Sequence, residues 1–225
     1  MGAILEQAGR QGGSKIQHFF RIVRTVVVDT PGVSIEGADL NSTFVSNATT
    51  DAEPTITIRA DGVRLYQFTV IKGTAGVHVE GTEEDPVENV TLQMLDISGQ
   101  QAQASLGRDI AGVVLDHAVN TILDNLEISS VSGGNGVSGS AGSPGGIAAG
   151  VLMRNSTNCT VGNIEISDIT GGTGGHKNTG MSDNVGGVGG VGAGVYVLES
   201  TGSTLSHVVV ENVVGGDGGT DNSYG

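Results

Sequence analysis

The 225-residue sequence lacks several features that commonly hold a protein together or direct it to a membrane. It has one cysteine, no tryptophan, three tyrosines and four phenylalanines. A single cysteine forms no internal disulfide, and no Cys/His cluster has the spacing of a structural zinc site. No run of 18 apolar residues suits a membrane span, and the first residues lack the pattern of a signal peptide. A packed core must therefore supply the stability.

Positive charge is also scarce. Ten lysines and arginines face 24 aspartates and glutamates, so the formal net charge is −14. Such an acidic balance argues against nucleic acid and against an anionic membrane surface as partners. Glycine, by contrast, is abundant, with 39 residues. Its spacing lacks the strict three-residue period of collagen, and 37% hydrophobic residues are too many for a disordered chain.

The sequence repeats internally, which is the main indication of its fold. Gly76, Gly112, Gly150 and Gly194 each precede an apolar residue at the first and third following positions. This alternation is typical of a β-strand. A second apolar set follows in each copy, and an earlier copy matches that part. Its central members are Phe68, Leu95, Leu126, Ile164 and Val208. The repeats predict a solenoid in which each coil buries its apolar face against its neighbours.

Each coil is predicted to hold three short strands. In the second apolar set, the first two members are three positions apart and the last two are two positions apart. A flat strand would send every third residue to the opposite face, so the chain must bend between the first two members. Asn or Gly at such a bend suits a left-handed backbone conformation. The predicted bends are Tyr66-Gln67, Gln93-Met94, Asp124-Asn125, Gly162-Asn163 and Ser206-His207.

One loop lengthens from coil to coil. It follows the third strand and grows from Val70–Gly76 to Ile166–Gly194, and its longer copies are rich in glycine and serine. Such loops are either mobile or laid against each other as extended, backbone-paired segments. The run Gly186–Gly192 favours the ordered alternative, because glycine lets two backbones approach closely.

The N-terminal region predicts a short helix. Ser14 suits an N-cap, and Ile16, Phe19, Phe20 and Val23 would share one helical face. A helix over 14–24 would then close the first coil. We expect an extension with this capping helix at 1–24 and a solenoid of about six coils at 25–225, with no closing element visible at its C-terminal end.

The sequence resembles the right-handed parallel β-helix proteins of the pectin-lyase-like fold, particularly the repeat regions of the periplasmic copper-processing and carbohydrate-binding group. The segments Lys15–Gln17, Thr25–Gly37 and Thr55–Val63 look like the first turns of that fold. The resemblance implies an all-β, right-handed, three-sheet parallel β-helix. It does not imply one activity, because the fold hosts lyases, hydrolases, adhesins and phage fibres.

Candidate site residues lie on the outward positions of the first strand. One predicted row contains His78, Val114, Leu152 and Tyr196, and the other contains Glu80, Asp116, Arg154 and Leu198. The resemblance places the sites of polysaccharide enzymes on this outer face. Two carboxylates about one strand spacing apart could act on a glycoside or hold Ca²⁺, and an arginine beside them could neutralise a uronate. The alternative is a solvated charge ladder.

Two further predictions concern ligands. Val114, Leu152 and Tyr196 form an outward apolar stripe, to be covered by the glycine-rich loops, a sugar or another protein. Asp217 and Asp221 lie in a segment one residue out of step with a calcium-binding nonapeptide, so calcium stays open as the one candidate cofactor.

Together these patterns favour a non-catalytic extracellular or cell-surface module with a structural, adhesive or fibre role. Its expected partners are further copies of itself, in end-to-end or lateral assembly, or the remainder of a longer chain, with carbohydrate as a further candidate. The competing hypothesis is a uronate lyase or glycoside hydrolase that uses Glu80, Asp116, Arg154 and His78. The familiar motifs of the enzymes with this fold are not found in the sequence, which weighs against catalysis.

Overall fold

The computed structural model describes most of the chain, and its regular structure is entirely β. The described residues are 5–10, 17–22, 25–40, 43–47, 53–101, 107–139, 141–177 and 185–220. Within these ranges no helix is long and apolar enough to cross a membrane.

Seventeen strands follow one another along the described chain. They are β1 (Leu5–Arg10), β2 (Gln17–Ile22), β3 (Val26–Val28), β4 (Ser34–Glu36), β5 (Thr43–Asn47), β6 (Ile56–Ile58), β7 (Arg64–Ile71), β8 (Ala75–Glu80), β9 (Val87–Glu88), β10 (Thr91–Ser98), β11 (Ile110–Asp116), β12 (Ala118–Val119), β13 (Ile122–Ser132), β14 (Ala148–Arg154), β15 (Thr160–Thr170), β16 (Gly192–Leu198) and β17 (Thr204–Val214).

The strands stack as a parallel β-helix. Among the described residues, nine strands form one sheet with the path β1-β2-β5-β7-β10-β13-β15-β17 and β4 beside β7. Six form a second sheet in the order β16-β14-β11-β8-β6-β3, and β9 pairs β12. Successive coils are in register, as in Val113↔Val151 and Leu126↔Ile164. The alignment of the repeats that the sequence predicts is therefore confirmed.

The core lies between the two large sheets. Val77, Val113 and Val151 point inward from the six-stranded sheet, opposite residues such as Ile128 and Ile166 of the nine-stranded sheet, and all are buried. Each side chain of this size stabilises the fold by about 1.5–3 kcal/mol when fully buried. Cys159 is also buried in this cluster as a small core residue.

The predicted bends occur in all five coils, but they do not interrupt the strands. The second residue of each predicted pair has a positive φ, between 51° and 62°. These residues are Gln67, Met94, Asn125, Asn163 and His207. Because every coil bends at the same register, hydrogen bonds to the neighbouring coils continue on both sides of the bend. The second and third predicted strands therefore form one bent strand in each coil.

The predicted capping helix is wrong. The described part of that segment, Gln17–Ile22, is β2, which pairs in parallel with β5 and antiparallel with β1. The rest of the predicted helix lies outside the described residues. Aromatic and β-branched residues favour strands over helices. The edge of β5 also offers unpaired backbone groups, and an added strand satisfies them whereas a helix does not.

The described parts of the glycine-rich loops form a two-layer structure, which we call the glycine sandwich. One layer consists of the outgoing segments 133–139, 171–177 and 215–220. The other consists of the returning segments 141–147 and 185–191. Hydrogen bonds join equivalent segments every third residue, as from Gly133, Gly136 and Gly139 to the carbonyls of Thr170, Thr173 and His176. A period of three is that of the polyproline II helix, which has no internal hydrogen bonds.

Hydrogen bonds also connect the two layers. The amide of Gly172 donates to the carbonyl of Gly146 (2.9 Å), that of Gly190 to Gly172 (2.7 Å), and that of Gly216 to Gly190 (2.8 Å). A Cβ atom built on Gly190 would overlap the carbonyl oxygen of Gly146. The layers can approach this closely only because the contact positions lack side chains. The extended, backbone-paired alternative predicted for Gly186–Gly192 is therefore confirmed.

Candidate binding groove

The two predicted side-chain rows form on the outer face of the six-stranded sheet. Asp116 pairs with Glu80 on one side and Arg154 on the other, and Val114 pairs with His78 and Leu152. Parallel strands position these residues because every repeat starts its strand at the same register. The sequence therefore predicts correctly which backbone positions are neighbours.

A groove of about 290 Å³ lies along this face. His78, Val114, Asp116, Leu152 and Arg154 line it from the sheet. The remaining lining residues lie before β6, at the start of β8 and before β11, and they are Pro54, Thr74, Ala75, Arg108 and Asp109.

The Glu80 carboxylate is paired with a residue outside the predicted set. It lies 2.7 Å from the guanidinium of Arg59, which belongs to the coil on the side opposite Asp116. It lines a second groove of about 430 Å³, together with Asp29, Asp61 and Asp85. The four predicted catalytic residues are therefore divided between two grooves, because Glu80 contacts the arginine of the preceding coil.

Arg154 has a partner that the repeat pattern does not predict. Its Nη2 atom lies 2.6 Å from Asp109 Oδ2, and Asp109 Oδ1 accepts a hydrogen bond from the Ile147 amide at 3.0 Å. Asp109, at the start of one coil, thus contacts both Ile147 and Arg154 of the following coil. No signal in the sequence identifies Asp109, because it precedes β11 outside the repeated positions.

His78 and Asp116 each contain a buried polar atom that makes no hydrogen bond to the described part of the chain. Among the described residues, neither His78 Nε2 nor Asp116 Oδ1 has a hydrogen-bond partner. His117 Nδ1 is 2.9 Å from Asp116 Oδ1 but is not aligned for a hydrogen bond. An unsatisfied buried polar atom costs stability, so such atoms beside a groove are natural contacts for a ligand or water.

The environment of His78 favours the neutral imidazole. Burial is the main influence and lowers its pKa below the ordinary histidine value. The carboxylates of Glu80 and Asp116 oppose this shift, whereas the guanidinium groups of Arg154 and Arg59 add to it. A neutral imidazole can donate one hydrogen bond and accept another, which suits a hydroxyl group.

The predicted apolar stripe is mostly covered by the protein itself. Leu152 is 1% exposed and forms a small buried cluster with Ala111 and Ala149. Val114, Ile147 and Tyr196 pack against this cluster and are half-buried. The stripe is thus covered in part by Ile147 of a glycine-rich loop, which is one of the predicted coverings. Val114 and Leu152 still contribute to the groove wall, whereas Tyr196 is not among its lining residues.

The candidate calcium ligands are only partly described. The Asp217 carbonyl accepts a hydrogen bond from the Gly174 amide within the glycine sandwich, and Asp221 lies outside the described residues. In the described ranges no group of three or more His, Cys, Asp or Glu side chains is placed to hold a metal ion. Calcium therefore stays a prediction.

A second row of carboxylates was not predicted. Asp96, Glu127 and Glu165 are successive neighbours on the nine-stranded sheet. Burial raises the pKa of Asp96, and the negative charge of Glu127 raises it further. The alignment of the repeats contains this signal, because the three acids occupy equivalent outward positions.

No protein-family model matches the chain, and no curated protein sequence matches it. Solved structures do resemble its fold. The Dettilon tailspike protein gp208 is 11% identical with a TM-score of 0.47, and the match covers 87% of this chain and 39% of the tailspike. The A-module of mannuronan C-5 epimerase AlgE6 from Azotobacter vinelandii is 14% identical, with a TM-score of 0.36 and coverages of 85% and 57%.

Pectin methylesterase from Yersinia enterocolitica is 11% identical, with a TM-score of 0.32 and coverages of 84% and 60%. This chain thus spans less than two thirds of the length of each of these three proteins. At such identities the likeness concerns the fold alone. The chain is a parallel β-helix, as its strand pairing shows, and the predicted resemblance to that class is confirmed.

Proposed function

We propose that the chain is a carbohydrate-binding β-helix module whose binding site is the groove over His78, Asp116 and Arg154. The observation that carries this proposal is the buried His78 Nε2 atom, which has no hydrogen-bond partner among the described residues, in a groove that Asp116 and Arg154 also line. Sugars supply hydroxyl groups that both donate and accept hydrogen bonds. Their C–H faces can also pack on aliphatic side chains such as Val114.

The charges of the groove favour a neutral sugar. Arg108 and Arg154 contribute two positive charges, and Asp109 and Asp116 contribute two negative charges. Arg154 is already paired with Asp109, so its charge is largely neutralised. A uronate would gain little attraction in such a groove, and the net charge of −14 would repel a polyanionic polymer.

The arrangement supports binding better than turnover. A retaining glycosidase uses two carboxyl groups about 5–5.5 Å apart, one of them a free nucleophile. Here Glu80 is held by Arg59, so Asp116 has no second free carboxylate from the predicted set. A role in binding, at an extracellular or cell surface, is consistent with a rigid solenoid that presents a groove.

Isothermal titration calorimetry with a panel of neutral and uronic-acid oligosaccharides tests the proposal. We expect a neutral member to bind, and Asp116→Asn to weaken its binding about tenfold or more, because a hydrogen bond to a charged group is lost. Glu211→Gln, an exposed carboxylate on β17, is the matched control and should bind normally. Absence of binding across the panel, or equal losses in both variants, would contradict the proposal.

Acid–base catalysis is the second candidate function. It is favoured by the neutral His78 imidazole close to the Asp116 carboxylate, since such a pair can move a proton. Assays of lyase and hydrolase activity on the same panel, with and without Ca²⁺, test it. If turnover is found and Asp116→Ala abolishes it, the non-catalytic proposal is wrong.

Self-assembly is a further proposal for the module. It is supported by aliphatic side chains on β16 and β17 that are exposed although they occupy core positions of the repeat, such as Val197, Leu205 and Val210. A second copy that covers this face would bury them. Sedimentation velocity over a range of concentrations should show association that Val210→Asp removes, and a monomer at all concentrations would exclude assembly of this chain.

A further inference from the structure

Three side chains of the glycine sandwich accept hydrogen bonds from the backbone of the next outgoing segment. Asn135 Oδ1 accepts from the Thr173 amide, Ser138 Oγ from the His176 amide, and His176 Nδ1 from the Thr220 amide, each at 3.0 Å. These contacts link 133–139 to 171–177, and 171–177 to 215–220. Of the three acceptors, only the histidine can gain a proton near neutral pH.

The contact at His176 requires a particular form of the ring. An amide N–H donates to Nδ1, so Nδ1 carries no proton and the neutral ring holds its proton on Nε2. The Thr220 hydroxyl oxygen also lies 3.0 Å from Nδ1. On protonation Nδ1 becomes a donor, so it can bond the hydroxyl oxygen but can no longer accept from the amide.

Few charges surround this contact. The described segments 133–139, 141–147 and 185–191 contain no charged side chain. In the described parts of the other two segments, the charged side chains are Lys177, next to His176, and Asp217, three residues before Thr220. They have opposite signs, so neither sign of charge dominates around the imidazole.

We propose that His176 is a pH-sensitive link in the glycine sandwich: its neutral ring holds the backbone of residues 215–220 against residues 171–177, and protonation releases the Thr220 amide. Two backbone hydrogen bonds also join these segments, from the Gly174 amide to the Asp217 carbonyl (2.8 Å) and from the Lys177 amide to the Thr220 carbonyl (3.2 Å), and neither titrates. Acidification therefore frees the Thr220 amide, while these backbone hydrogen bonds keep segment 215–220 attached to segment 171–177.

Amide hydrogen exchange measured by NMR on the full chain tests this link. After correction for the intrinsic pH dependence of exchange, protection of the Thr220 amide should fall roughly fivefold between pH 7.5 and pH 5, as expected for the loss of one hydrogen bond. The Thr173 amide, which donates to Asn135, is the internal control and should keep its protection. In His176→Gln, whose side-chain oxygen cannot titrate, protection of Thr220 should not depend on pH.

The ring nitrogens give a second, independent readout. Their ¹⁵N chemical shifts at pH 7.5 should show the form protonated on Nε2. The proposal is overturned if His176 carries its proton on Nδ1 at that pH, if Thr220 protection is independent of pH in the unmodified chain, or if it falls equally in His176→Gln. None of these results bears on the carbohydrate groove, which lies on the six-stranded sheet.

Discussion

The stacked coils and the glycine sandwich both repeat from coil to coil, but they fill the space between their layers in opposite ways. In the coils, aliphatic side chains such as Leu126 and Ile128 fill the space between the sheets and are at most 3% exposed. In the sandwich, two layers approach so closely that contact positions such as Gly172 and Gly190 leave no room for a Cβ atom. The first region depends on apolar volume and the second on its absence. We therefore expect opposite responses to changes in side-chain size.

The largest effect should come from removing volume in the coils. Ile128→Ala leaves a cavity beneath the six-stranded sheet and should lower the free energy of unfolding by about 2–5 kcal/mol. Ile122→Ala, in the same strand but 44% exposed, is the matched control and should cost far less. Urea unfolding of both variants measures the difference. Similar losses in the two variants would show that the coils do not depend on buried volume.

Adding volume to the sandwich should have the next largest effect. Gly190→Ala places a methyl group against the carbonyl of Gly146, and overpacking of this kind costs about 1–3 kcal/mol. In Gly218→Ala the added atom would be 3.9 Å from the Gly187 carbonyl oxygen, which is an ordinary contact. Thermal unfolding and hydrogen exchange of the Gly190 and Gly216 amides should separate the variants. Equal stability would mean that the layers can move apart at little cost.

A third comparison isolates what a neighbouring coil contributes. Val151 and Val195 are the same residue at paired positions, but Val151 is fully buried between two coils whereas Val195 is only partly buried. Val151→Ala should cost about 2 kcal/mol, and Val195→Ala about 1 kcal/mol or less, because less apolar surface is removed from water. Chemical denaturation gives both values. Equal losses would show that the neighbouring coil adds nothing to the stability that this valine contributes.

The smallest expected effect is the pH response of the groove. Because burial lowers the pKa of His78 in the folded chain, the unfolded chain takes up this proton first as the pH falls. The contribution of His78 to stability is therefore complete above its unfolded pKa and declines on acidification through that range. His78→Gln should reduce the slope of stability against pH between 7 and 5. An unchanged slope would show that His78 is not protected from protonation.

Many of these features can be predicted from the repeats. The neighbours of Asp116, the five left-handed bends and the inward positions follow from aligning the coils, because parallel strands stacked in register place equivalent residues side by side. Left-handed residues at other corners, such as Asn120, Asn158 and Asp168, were not predicted. They lie outside the aligned apolar positions, where no alternation marks the turn of the backbone.

Other features depend on contacts that no repeat contains. The predicted helix over 14–24 fails because an open sheet edge competes with local helical periodicity, and only the assembled sheet reveals that edge. Likewise, the charges in the sequence do not predict that Glu80 pairs with Arg59 or that Arg154 pairs with Asp109. The choice depends on side chains of different coils, which the fold brings within reach.

By itself, the sequence determines a stack of coils with an apolar interior and a glycine-rich flank, because each coil repeats the positions that must be buried. The tertiary structure decides how the outward side chains pair and how the glycine segments divide into two layers. Repetition specifies the stacking direction, along which identical residues meet. It does not specify contacts between unlike segments, because these depend on the three-dimensional path of loops that differ in every coil.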